Sequence, residues 1–403
     1  MTDYALEGLK IADFTWYAAG PHTTRYFAIH GAMVVRIESE ARLDATRANA
    51  PHRDGIPGPN RSGTFAHANT SKYGITLDLR HPRGIEVAKR LVAWSDVVVE
   101  NFTPGTMEDM GLGYEDLVKI KPDLIMLSTS NQGQTGPQAR RPGFGIHLEA
   151  LSGFNYLIGW PDSEPVIMAG LATDMIAARF AASILLAALD FRRRTGNGQY
   201  IDLSQYQASL QFLAPPLLDF VVNGRIAQRV GNSSPCAAPH GVYPCLGEDR
   251  WCAIAVFSDQ EWLAFCQALG NPVWSQEHRW ATLEGRKENE EDLDHLVAET
   301  TTRFVAEELM GLLQTHGVSA AVVKNAADIY SDPQLKYRGH FIPVEHSEIG
   351  SYLAEATGYR LSRTPFEFKP SPCLGEHNEH VYTQILGMSD EEFIGFLESG
   401  VIR

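Results

Sequence analysis

The chain has 403 residues, 44% hydrophobic and 21% charged, which suits a globular protein with ample core and two domains. Thirty-four basic residues against 49 acidic ones leave a net charge of −15, which argues against general binding to nucleic acid or to an anionic membrane surface. An anionic ligand therefore needs local arginines, lysines or helix N-termini.

Residues 9–14 (LKIADF) read as a strand. The stretch Thr15-Trp16-Tyr17-Ala18-Ala19-Gly20 turns it, and Pro21 can occupy the first position of a helix ending near Gly31. Residues 33–37 (MVVRI) give a second strand, so the pattern predicts a parallel βαβ unit. The turn lacks G-x-G-x-x-G, so a dinucleotide fingerprint is absent where it should occur. Residues 40–63 predict a long loop. Strands follow over 72–79, 96–100, 124–128 and 198–203, with helices from Pro82 to Trp94 and from Tyr114 to Ile120. Asn101 and Phe102 close the 96–100 strand. Ligands of open α/β sheets collect at such ends, although a plain turn reads the same way.

The stretch from Gly170 to Ala178 opens an apolar run that reaches Phe191. Ile176, Phe180, Ile184, Ala187 and Phe191 recur at helical spacing, and small residues fill the gaps. That composition predicts a helix buried in the interior, ending at Arg192-Arg193-Arg194 and Gly196. Asp174 falls near its N-terminus, where the helix dipole and free N–H groups favour the ionised carboxylate. Such a residue is either a simple cap or a poised nucleophile.

Past residue 205 the character changes. Residues 210–222 are apolar, interrupted by Pro215 and Pro216, and read as a connector. Residues 241–257 alternate like antiparallel strands, 261–269 read as a helix, and the acidic stretch 284–296 with Arg286 and Lys287 reads as a solvated face. The expected organisation is a Rossmann-like α/β large domain over 1–204, a linker over 205–224, a smaller α+β domain over 225–325, and a return segment over 326–403 that completes the large domain. The five cysteines are odd in number and form no C-x-x-C pair, which suits a reduced protein. With no signal-peptide pattern after Met1 and no apolar run read as long enough to span a bilayer, the expected location is cytoplasmic. Cys236, His240 and Cys245 match no standard zinc spacing, and His377 and His380 lack a third ligand, so no metal is expected. There is no G-x-S-x-G elbow and no Walker loop.

Ten pieces in order resemble one family, the class III coenzyme A transferases, which include formyl-CoA transferase and carnitine CoA-transferase. They run from Asp13-Phe14-Thr15 with Ala19-Gly20-Pro21, through Val34-Val35-Arg36-Ile37-Glu38, Ile75-Thr76-Leu77-Asp78-Leu79 and Val98-Val99-Glu100-Asn101-Phe102-Thr103-Pro104-Gly105. They continue through Gly133-Gln134-Thr135-Gly136-Pro137, Arg141-Pro142-Gly143-Phe144, Ala150-Leu151-Ser152-Gly153 and the Asp174 stretch to Arg194-Thr195-Gly196-Asn197-Gly198-Gln199 and Leu374-Gly375-Glu376-His377. The resemblance implies that Asp174 attacks an acyl-CoA thioester to give an aspartyl anhydride, then an aspartyl-CoA thioester, from which an acceptor acid takes CoA. It implies CoA contacts at Trp16, Tyr17, Ala18, Leu77, Arg80, Asn101, Phe102, Met110 and Arg141. It also implies no permanently bound cofactor, and an interlocked homodimer or a heteromer with a homologous subunit.

Ser39 and Asp109 stand where formyl-CoA transferase has arginines, and Arg36, Arg42 or Arg47 are the candidate substitutes. The family's glycine-rich flap has no counterpart, and residues 231–240 are the candidate cover. Trp16, Tyr17 and residues 154–160 (FNYLIGW) suggest a bulky or aromatic acid, or plain core packing. Succinyl-CoA with an aromatic dicarboxylate such as benzylsuccinate is one candidate pair. Two alternatives stay open: an α-methylacyl-CoA racemase-like isomerase and a non-catalytic subunit of a heteromeric transferase. Against the first, the position matching the racemase histidine is Phe144, with His147 three residues on.

Overall fold

The computed structural model describes residues 4–168 and 171–403; Met1 to Asp3, and Gly170 at the head of the central stretch, lie outside the described residues. Two compact units share the chain. Met1–Phe154, Ile167–Arg225 and Tyr337–Arg403 form the first, and Asn155–Val166 with Ile226–Lys336 form the second.

The first unit is built on six parallel strands: β1 (Lys10–Asp13), β2 (Met33–Glu38), β3 (Tyr73–Thr76), β4 (Val97–Glu100), β5 (Ile125–Ser130) and β6 (Gln199–Ser204). Their order is β3-β2-β1-β4-β5-β6. Runs such as Val97-Val98-Val99 are fully buried because the sheet is covered on both faces. Alternate side chains sort to opposite layers. Ile11, Val34, Val97 and Val99 meet Phe27 of helix α1 (Ala19–Ala28). Ala12, Val35 and Val98 meet Val87, Leu91 and Val92 of helix α2 (Pro82–Trp94) on the other side. The return segment adds Val381, Tyr382, Phe396 and Ile402 to that second layer. Its antiparallel hairpin spans Phe341–His346 and Gly350–Glu355. Strand order reverses direction between β1 and β4, and a crevice opens at the C-terminal ends there.

Further along the chain come helix α3 (Gly145–Ser152) and the 24-residue helix α4 (Ala172–Thr195), which ends on the left-handed Gly196 after its three arginines. The expectation of an all-round buried helix is corrected here. Ala177, Ala178, Ala181, Leu185 and Ala188 are buried, the last three against the sheet, whereas Phe180 (39% exposed), Ile184, Ala187 and Phe191 face outward. Small side chains let the helix axis approach the strands, so the buried face is the alanine face and the large apolar stripe is left over. By length and mean hydropathy alone α4 is apolar enough to cross a bilayer, but Asp174, Arg179 and Asp190 interrupt the run, as expected of a helix that packs on a sheet. The apolar stretch after β6 contains helix α5 (Ala214–Asn223), with its prolines in the first turn, where no N–H is needed. Its Leu218, Phe220, Val221 and Val222 are all more than half exposed.

The second unit carries a three-stranded antiparallel sheet of β7 (His240–Pro244), β8 (Trp251–Ala255) and β9 (Ser319–Val322). Helices over Asp259–Ala268, Glu290–Thr301 and Ala306–Thr315 cover it through Trp262, Phe265, Leu293 and Leu309, and Trp280 of the turn His278–Trp280 joins the same core. The 284–296 stretch is not uniformly solvated. Arg286 is completely buried, donates to the carbonyls of Ala238 (2.8 Å) and Trp280 (3.0 Å), and pairs with Asp259 at 3.0 Å.

Candidate active site

A cavity of about 440 Å³ lies in the crevice beyond the C-terminal ends of β1, β4 and β5. Asp174 lines it, as do Trp16, Tyr17, Ala18, Asn101, Phe102 and Arg141. Residues separated by more than 150 positions are thus brought to one wall by the strand order. Three expected positions are not brought there. Leu77 and Arg80 line a separate pocket of about 90 Å³ with Ser39, Asp78 and Arg403. Leu77 is itself core, and Arg80 is paired to Asp78 at 3.1 Å. Met110 packs on the core beneath β4.

Asp174 sits in the first turn of α4. The backbone N–H groups of Ala19, the first residue of α1, and of Asp174 itself act on its carboxylate and favour the charged form. Gly145, the first residue of α3, lies so close that an added Cβ would fall 2.4 Å from the Asp174 Oδ2. Thr173 Oγ1 donates to the Gly145 carbonyl at 3.2 Å and fixes that approach. Three helix N-termini therefore converge on one carboxylate. The N–H groups favour its ionised form, as expected from the sequence, but they are outweighed. Burial, and then the nearby Glu149 one turn along α3, push the Asp174 carboxyl up to about 6, and the two N–H groups only partly offset them. Glu149 is buried with one unpartnered oxygen, and burial raises it as well.

The loop joining β1 to α1 is held on every side. Asn101 accepts the Trp16 N–H on Oδ1 (2.8 Å) and donates from Nδ2 to the Trp16 carbonyl (2.7 Å). Its carboxamide is thereby committed to the protein backbone, at odds with a direct role in holding CoA. Tyr17 is left-handed, with φ of 63°, and its N–H donates to Asp44 Oδ2 at 3.1 Å. Asp44 is fully buried and ion-paired to Arg36, which donates to the Thr15 carbonyl at 2.9 Å. Glu38 joins Arg36 and Arg47, and the two guanidinium groups hold its carboxyl down at about 2. Arg36 and Arg47 are consumed by this network and do not reach ligand, whereas Arg42 lines the cavity and lies over the Trp16 ring at 5.0 Å. The aromatic wall is completed by Phe102, 5.9 Å from Trp16, and Phe144, 5.4 Å from Tyr17.

Sequence reasoning missed Gly145, Glu149 and Asp44. Gly145 directly follows Phe144 in a quoted motif, and Glu149 is four residues on, on the same helical face, so the period of α3 was the available signal. His147 turns away to cap α3, accepting the Phe144 N–H on Nδ1 at 3.0 Å, and Phe144 lines the cavity in its place. No cluster of three or more metal-ligating side chains occurs among the described residues.

A family model described as CoA-transferase family III matches residues 6–378. The succinyl-CoA–D-citramalate CoA-transferase of Chloroflexus aurantiacus is 34% identical over 388 residues, covering 96% of this chain and 95% of that protein. The beta subunit of the succinyl-CoA–L-malate CoA-transferase of the same organism is 31% identical over 396 residues, covering 97% and 96%. A crystal structure of a CAIB/BAIF family protein from Brucella suis superposes with a TM-score of 0.87 at 30% identity, over 95% of this chain and all of that one. With a parallel sheet of Rossmann type, a carboxylate at its switch-point crevice and these whole-length likenesses, the chain belongs to CoA-transferase family III and is a CoA-transferase.

Proposed function

We propose that this enzyme moves CoA from succinyl-CoA to a second dicarboxylic acid, with Asp174 as the covalent carrier. An Asp174 oxygen attacks the thioester carbonyl; the C–S bond breaks, leaving an aspartyl anhydride and the CoA thiolate. The thiolate attacks the aspartyl carbonyl, releasing succinate and forming the aspartyl-CoA thioester. The acceptor carboxylate then runs the two steps in reverse and leaves as its CoA thioester. No proton is gained or lost over the cycle.

The single observation that carries this reading is the setting of Asp174. A carboxylate is a weak nucleophile in water and a stronger one where hydration is replaced by fixed dipoles. Asp174 is largely removed from solvent, on a cavity wall, with the Ala19 N–H aimed at it. The same N–H and the facing helix ends supply preplaced donors for the oxyanions of both acyl transfers. Its carboxyl near 6 leaves the nucleophilic form dominant above neutrality, so the first half-reaction should rise with pH through about 6 and level off.

The dicarboxylate acceptor is supported by the names of the relatives, which act on D-citramalate and L-malate, and by Arg42 and Arg141 on the cavity wall. Benzylsuccinate stays a candidate acceptor on the strength of the aromatic wall of Trp16, Phe102 and Phe144. The oligomer we propose is a dimer, of this chain or with a homologous subunit, that covers the outward apolar faces of α4 and α5. The test of the reading is Asp174→Asn with succinyl-CoA and a panel of acids. Turnover lost with fold and CoA binding kept supports it; full turnover refutes it.

A further inference from the structure

Three residues that line the cavity carry polar groups that the protein leaves unused. Thr129 and Ser130 end β5, and Gln205 begins the short helix after β6. Each is at least nine-tenths buried, and each lines the cavity with Asp174. Thr129 Oγ1, Ser130 Oγ and Gln205 Oε1 have no hydrogen-bond partner in the protein. Buried polar atoms are nearly always paired, because leaving one unpaired forfeits its hydration with no return. Three such atoms, on residues that line one cavity, point to partners supplied by what the cavity receives.

We infer that Ser130 and Gln205, with Thr129 beside them, form a polar subsite for a substrate group that both donates and accepts hydrogen bonds, a secondary amide or a hydroxyl. The inference rests on the reading that substrate reaches Asp174 through this cavity. Gln205 Oε1 can only accept, so the substrate must offer an N–H or O–H to it. The two hydroxyls can donate to a carbonyl or hydroxyl oxygen of the same group. A carboxylate satisfies the hydroxyls and leaves Gln205 Oε1 unpaired, so a bare carboxylate is the poorer fit. The chemistry has two sources in this reaction: an amide of the pantetheine arm or a hydroxyl on the transferred acid. A pantetheine amide would be bound with every substrate pair. An acid hydroxyl would be read only in hydroxylated acids, and a site built for one discriminates strongly against analogues that lack it.

The experiment compares wild type with Gln205→Leu, Gln205→Glu and Ser130→Ala, using succinyl-CoA with a hydroxylated and an unhydroxylated dicarboxylic acid. Glu at 205 keeps an acceptor at that position and should retain most of the function that Leu loses. If the pantetheine amide is the partner, Gln205→Leu raises KM for succinyl-CoA by roughly tenfold, equally with either acid. If the acid hydroxyl is the partner, kcat/KM falls by about that factor for the hydroxylated acid alone. Changes below twofold for Gln205→Leu and Ser130→Ala in both arms would overturn the inference. A melting temperature for each variant guards against misfolding. Replacing an unpaired buried oxygen by a methyl group should leave it unchanged or raise it, and a loss of fold in Gln205→Leu would mean the carboxamide is structural, which also overturns the inference. Turnover by Asp174→Asn would instead remove the reading on which the inference stands.

Discussion

Gly145→Ala puts one methyl group against the Asp174 carboxylate. An alanine Cβ built on this backbone falls 2.4 Å from Asp174 Oδ2 and 3.2 Å from Thr173 Oγ1, and real Cβ contacts essentially never come below 3.0 Å. The carboxylate must therefore give way by at least about 0.6 Å, or rotate off the Ala19 N–H. Misplacing a reacting group by about 1 Å costs on the order of 100-fold in rate, so we expect kcat to fall by roughly 10- to 100-fold. Stability should move little, because alanine is the better helix former by up to ~1 kcal/mol and offsets part of the strain. The assay is steady-state transfer from succinyl-CoA beside a thermal melt of the same sample. A melting temperature within a few degrees of wild type, with kcat down and KM for succinyl-CoA within about threefold, is the expected pattern. An unchanged kcat in a folded Gly145→Ala protein would refute the claim that the Asp174 position is set by the close approach of α3.

Other expectations follow from the same geometry. Because folding raises the Asp174 carboxyl from 3.8 to about 6, its ionisation opposes folding, with the cost growing between pH 4 and pH 6 and full above it. Asp174→Asn should therefore unfold at higher denaturant than wild type at pH 8, by at most ~3 kcal/mol, and show no such gain at pH 4. Asn101→Ala frees the Trp16 peptide and should lower kcat by about tenfold while leaving KM for succinyl-CoA within twofold, whereas a side chain that held CoA would raise KM. On the outward face of α5, Val221 is 79% exposed, and Val221→Asp should shift the protein from dimer to monomer in light scattering after gel filtration. A dimer of unchanged mass would show that this face is not covered by a second subunit.

Much of the sheet was readable because its strands carry their own signal. Buried β-branched runs such as Val97 to Val99 bounded by turns, and a proline at the start of α2, fix type and extent locally. The helix α4 was readable as a helix and misread in its orientation. Periodicity says which residues share a face, but not which face meets the sheet, and the close approach of the strands selected alanines over the larger side chains. The same limit applies at the site. Trp16, Tyr17, Phe102 and Asp174 were reachable through their motifs, while Asp44 and Glu149 act through tertiary neighbours far along the chain. Asn101 was singled out for a cavity wall, and it is on one, yet its carboxamide serves the Trp16 peptide. Leu77, Arg80 and Met110 show the converse: a motif can be present in order while its side chains face another pocket or the core.

The claim at the centre of the account is that Asp174 is acylated and restored in every cycle. Succinyl-CoA is added without acceptor, the reaction is stopped in borohydride, and the peptide holding Asp174 is weighed. Reduction of an aspartyl anhydride or thioester converts that side chain to the alcohol of homoserine, and the account predicts this change at Asp174 and at no other carboxylate. An unmodified Asp174 in a preparation that still transfers CoA would contradict it.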